Sequence, residues 1–176
     1  MGQVIPLPLP PAAHLDTAAA LGPAECTLLI GIRWWVADFR QHDDPLPRLC
    51  QAMGTAGAHD AAFSVDQLMA VFIRAARRPM AIHCPRCPSL SEDEKHWLRA
   101  ASLVQAGETK LAERALRTAL LSAHGAEFAL GPLQGVGELF AEARLFFRRW
   151  NWSATSQGST GAMEPRNSAA RSETMH

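Results

Sequence analysis

Apolar residues recur along this chain at intervals of three and four, the period of α-helices that each bury one face. From Pro23, the spacing Leu28, Ile32, Trp35 and Phe39 predicts a helix, with Leu29 and Val36 widening its stripe. Proline suits a first helical turn, where its missing N–H would have no intrahelical partner. A short helical turn is expected at Leu46, Leu49, Cys50 and Met53, stopped by Gly54. Ser64-Val65-Asp66-Gln67 has the spacing of a capping box. It predicts a helix with Val65, Leu68, Met69, Phe72 and Ile73 inward, ending before Pro79.

Ser91-Glu92-Asp93-Glu94 is a second capping box, with carboxylates in the first turn where the helix dipole favours them. The helix it opens carries Trp97, Ala101 and Val104 and breaks at Gly107. Another starts near Thr109, with Leu111, Ala115, Leu116, Ala119 and Leu120 as its stripe. The last is expected from Pro132 or just after, with Val136, Leu139, Phe140, Ala143, Phe146 and Phe147 inward. Met80-Ala81-Ile82 is the one strand-like fragment, too short to found a sheet. The fold class that follows is all-α, a compact bundle of five or six helices over residues 21–150. Ala100, Leu103, Gly107, Ala112, Leu116 and Ala119 resemble the small and large positions of a tetratricopeptide helix pair. No second copy stands at the family's repeat of about 34 residues. A tight αα-hairpin needs small residues at its crossing in any case, so no family is assigned.

The flanks differ from this pattern. Residues 1–20 carry Pro6, Pro8, Pro10 and Pro11, and proline's fixed φ and lost donor predict an extended arm. Residues 151–176 are rich in Ser, Thr, Gly and Asn and lack the apolar bulk to offset ordering entropy, so a disordered tail is expected. Trp150 and Trp152 close the last helix on this reading, one packing and the other at the surface.

Composition narrows the functional classes. The chain has 176 residues, enough for one domain with a substantial core, and its formal net charge is +0. Neutrality argues against binding nucleic acid or an anionic membrane through bulk charge. Of the 17 basic residues only Lys95 and Lys110 are lysine. That bias, with abundant alanine, is read as the codon usage of a GC-rich bacterial genome rather than as phosphate recognition. The most apolar run, Leu28 to Val36, is interrupted by Arg33 and falls well short of the roughly 20 residues of a membrane span. The amino terminus lacks the charged and apolar regions of a secretory signal, so a cytoplasmic location with reduced thiols is expected.

Candidate chemistry concentrates at His83-Cys84-Pro85-Arg86-Cys87, directly ahead of the second capping box. Three readings stay open. Cys84 and Cys87 are half of a tetrahedral zinc site, to be completed from His83, His96, Cys50 or another distant residue. Alternatively Cys84 is a redox nucleophile and Cys87 its resolving thiol, although that motif usually sits in a βαβ setting. The third reading is two small core residues bracketing a proline turn, with no cofactor. His42, Asp43 and Asp44 are read as a loop start whose Asp side chains cap local backbone. Arg74, Arg77 and Arg78, and Arg144, Arg148 and Arg149, are expected at helix carboxy termini, where cations complement the dipole.

No complete catalytic constellation or phosphate-cradling glycine loop is present. The expected function is therefore a non-catalytic protein-interaction or regulatory module whose partner is another protein. The alternatives are a zinc-stabilised module contacting nucleic acid and a thiol redox protein using Cys84 and Cys87.

Overall fold

The structure, a computed structural model, describes residues 17–149. The expected tail, Trp150 and Trp152, and residues 1–16 of the expected arm lie outside the described residues. Six α-helices occupy the described chain: α1 (Pro23–Arg40), α2 (Leu46–Thr55), α3 (Ala61–Ala75), α4 (Glu92–Gln105), α5 (Thr109–Ala119) and α6 (Ala123–Glu142). The fold is all-α, as the apolar periodicity predicts.

The most extensive pairing joins α3 to α6. The two run antiparallel, since Gly125 at the start of α6 faces Ala75 at the end of α3, and Gly135 faces Ser64. A Cβ on Gly125 would lie 2.3 Å from the Ala75 Cβ, so glycine is what permits this close approach. Helices α4 and α5 form a hairpin that packs on α6, and α2 bridges α1 to α3. The core is one contiguous cluster. At its centre Phe72 of α3 stacks on Trp97 of α4, with ring centroids 3.6 Å apart, and both side chains are buried.

Two helix starts differ from the sequence pattern. Helix α3 begins at Ala61, ahead of Ser64, because Ala61 and Ala62 already belong to the buried stripe. Ser64 is then an interior residue whose small side chain admits α6 at Gly135. Helix α6 begins at Ala123, capped by the Ser122 side chain, which accepts from the Gly125 N–H at 3.1 Å. Pro132 lies inside it rather than at its start. An interior proline costs about 3 kcal/mol. Burial of Ala126, Ala129, Leu133, Val136 and Phe140 along one stripe on both sides of the proline outweighs that cost.

Helix α6 also ends earlier than its apolar period suggests. Arg144 takes a left-handed φ of 58°, and the Leu145 N–H returns to the Phe140 carbonyl at 2.7 Å, a left-handed carboxy-terminal cap. The chain then folds back, so that Phe147 stacks on Phe140 while Phe146 is 63% exposed. Gln105 holds this return: its side-chain N–H groups reach the Gly137 and Leu145 carbonyls, and its oxygen accepts from the Phe147 N–H at 2.8 Å. Arg144, Arg148 and Arg149 therefore lie beyond the helix rather than in its last turn. Phe39, Ile73 and Leu111, expected inward, are each close to half exposed at the edges of their stripes.

Candidate functional site

The Cys84–Cys87 segment sits over the amino terminus of α4, and the local sequence accounts for how it is held. The Ser91 capping box forms: the Glu94 N–H donates to Ser91 Oγ at 3.1 Å, and the Ser91 N–H donates to Glu94 Oε2 at 2.9 Å. A capping glutamate normally points to solvent, but here it is buried and has a second task. Arg33, reaching down from α1, donates from Nε to Glu94 Oε1 at 2.7 Å and from Nη2 to Oε2 at 2.9 Å. This bidentate pair is almost fully withdrawn from water, with side-chain exposures of 2% and 0%.

Two more of the arginine's N–H groups address the thiol loop itself. Nη1 donates to the Cys87 carbonyl at 2.6 Å and Nη2 to the Ser89 carbonyl at 2.7 Å. Glu94 Oε1 also accepts from the His83 N–H at 3.1 Å, and His83 Nδ1 lies 3.0 Å from the Ser89 carbonyl. One buried ion pair therefore fixes both ends of the Cys-x-x-Cys segment. Asp93 repeats the arrangement one residue earlier. It takes two bonds from Arg78, at 2.6 and 2.8 Å, and one from the Ala81 N–H at 2.7 Å. Ser91 Oγ donates to the Ala81 carbonyl. The strand-like fragment Met80-Ala81-Ile82 is thus an extended loop tied by side chains to α4.

These contacts set the ionisation of the site. Burial pushes the Glu94 carboxyl up, but hydrogen bonds from Arg33, Ser91 and His83 outweigh it and hold the group below the usual glutamate range. Arg78 does the same for Asp93, against opposition from burial. Burial lowers the His96 imidazole despite Asp93 and Glu92 nearby. All three groups bind protons less readily in the folded chain than in the unfolded one, so stability rises with pH through their titration ranges. The His96 contribution should fade as pH falls below about 6.5, and those of Asp93 and Glu94 below about 4. Thermal melts from pH 8 to pH 3 check this; a melting temperature that is flat or rises toward acid would contradict it.

The thiols themselves are accessible. Cys84 is exposed and Cys87 half-buried. The Cys87 N–H donates to the Cys84 carbonyl at 3.0 Å, closing a turn over Pro85 and Arg86. Cys87 Sγ lies 3.2 Å from Ser89 Oγ. Hydrogen bonds from the Ser89 hydroxyl and backbone hold the Cys87 thiol below its ordinary range; Arg33 assists, while burial and Glu94 oppose.

Of the other proposed ligands, Cys50 packs against the core from α2. His96 lines a groove of about 230 Å³ with Arg99, Leu103 and residues of α5. Among the described residues no group of three His, Cys, Asp or Glu side chains is placed to hold a metal ion. A zinc ion at Cys84 and Cys87 would have to draw further ligands from elsewhere.

The remaining sequence candidates have local roles. Asp44 caps the Leu46 N–H at 3.0 Å, and His42 takes the left-handed φ of 62° that ends α1. Arg148 donates its N–H to the buried Glu25 at 2.6 Å, and Arg149 pairs with Glu108 at 3.5 Å. The Arg33–Glu94 pair was the missed element. Its signal in the sequence is a lone arginine within an otherwise apolar helical stripe, Leu29, Ile32 and Val36. No protein-family model, curated protein or solved structure matches the chain.

Proposed function

We propose that this chain is a non-catalytic protein-interaction or regulatory module, acting in a reducing bacterial cytoplasm by binding another protein. The observation that carries the reading is the apolar bulk left at the surface. Phe128 of α6 is 69% exposed and Phe63 of α3 is 50% exposed, on the two helices that pair most extensively. Burying such a side chain is worth about 1.5–3 kcal/mol, and aromatic anchors are the residues that carry binding energy at protein interfaces. The buried Arg33, Asp93 and Glu94 support the same reading, because structural partners take up their hydrogen-bonding capacity.

A photo-crosslinking residue in place of Phe128 tests the reading in cells expressing the full chain. A discrete protein adduct at that position, absent from a control placed at the exposed Glu138, is the expected result. Equal labelling at both positions would overturn it. Submicromolar binding to duplex DNA that weakens steeply with salt would favour the zinc-stabilised nucleic-acid module instead.

A further inference from the structure

We propose that Cys84 and Cys87 form a dithiol–disulfide switch that is closed by exchange with a small-molecule disulfide, with Cys87 as the first nucleophile. The switch goes beyond the interaction reading and does not depend on it. Its first support is geometric. A hydrogen-bonded turn from the Cys84 carbonyl to the Cys87 N–H holds the two Cα atoms within about 7 Å, close to the range a disulfide spans. Pro85 stiffens the turn, and Arg33 fixes its far end through the Cys87 and Ser89 carbonyls. Little backbone entropy is left to lose when the ring closes.

The second support is the difference between the two sulfurs. Cys87 has the Ser89 hydroxyl at 3.2 Å to stabilise a thiolate, whereas Cys84 is the more exposed of the pair. This reverses the order in the redox alternative read from the sequence, in which Cys84 attacks and Cys87 resolves. Cys26, in contrast, lies against the core, with its Sγ 3.8 Å from the Ala18 carbonyl.

The chemistry balances without a metal. The Cys87 thiolate attacks one sulfur of the small disulfide, forming a mixed disulfide and expelling one thiolate. Cys84, after losing its proton to water, attacks Cys87 Sγ and expels the second. The protein loses two electrons and two protons, and the small disulfide becomes two thiols. The loop also carries a contact through which closure can be felt elsewhere. The Ala18 N–H donates to the Pro88 carbonyl at 2.7 Å, and Thr17 pairs with Ser89.

The test uses the reduced full-length chain in glutathione buffers of increasing oxidised fraction, with quenching by an alkylating agent and mass analysis. The expected product lacks two hydrogens, with Cys84 and Cys87 both protected from alkylation. In Cys84→Ser, one glutathione should be trapped on Cys87. In Cys87→Ser, glutathione should add to Cys84 at least about threefold more slowly. Circular dichroism confirms that both variants keep their helices. The proposal is overturned if the wild-type chain stops at a mixed disulfide, or if both thiols stay free in fully oxidised glutathione. It is equally overturned if freshly purified protein carries one equivalent of zinc that shields both thiols until it is chelated.

Discussion

Replacing Arg33 by methionine is expected to destabilise the fold by about 3–5 kcal/mol, the scale on which a buried ion pair fails when one partner is removed. Methionine matches the arginine stem in length but leaves Glu94, with 0% side-chain exposure, charged and without a permanent counter-charge, its remaining ionisable neighbour being the His83 imidazole at 3.7 Å. It also strips the Cys87 and Ser89 carbonyls of their donors. The glutamate can escape part of the penalty by taking up a proton, so the loss should shrink in mildly acidic buffer. Adding Glu94→Gln should recover part of the loss at neutral pH, since the uncompensated charge is then gone while the capping geometry is kept. Urea unfolding followed by circular dichroism measures all three chains. A loss below about 1 kcal/mol for Arg33→Met would place this contact among ordinary surface pairs and contradict the assignment.

Phe72→Ala is the second large effect, expected at about 3–5 kcal/mol. The ring is fully buried and stacks on Trp97 at a centroid distance of 3.6 Å, so its removal opens a cavity where α3 meets α4. The surrounding helices are anchored at several other contacts and relax only partly into the space. The comparison is Phe128→Ala, which removes the same side chain from a position 69% exposed. That variant should stay within about 0.5 kcal/mol of the parent chain. Equal losses at the two positions, read from the same urea titration, would mean the core is not centred where the structure places it.

The helix inventory was legible where a local signal and the burial pattern agreed. Pro23, the Ser91–Glu94 box and Gly107 mark boundaries that the structure keeps, because capping, proline geometry and left-handed glycine act within one turn. The pattern misled where tertiary packing overrode it. Ser64 has the spacing of a cap but serves as the small residue facing Gly135. Pro132 looks like a start, yet it is carried within a helix buried on both sides of it. The expected stripe also ran on past Arg144, whose left-handed backbone turns Phe147 back onto Phe140.

The site was half legible. Its Cys84–Cys87 segment and the Glu94 cap are adjacent in sequence, so spacing alone marks them. The partner that joins them, Arg33, is 61 residues from Glu94 and sits on another helix. No periodicity links the two. Only the oddity of a single arginine in an apolar stripe points to a buried acidic partner, and it does not say which one.

The loop ahead of α4 should set Cys87 apart chemically from the chain's packed thiols. Alkylation rates of individual cysteines in the reduced full-length protein at neutral pH, followed by peptide mass analysis, test it most directly. Cys87 is held low by Ser89. Cys26 is pushed up by burial first and by Glu25 second, against Arg148. Cys87 should react well ahead of Cys26, and Ser89→Ala should slow Cys87 alone. Cys26 reacting as fast as Cys87, or a Cys87 rate unchanged by Ser89→Ala, would contradict it.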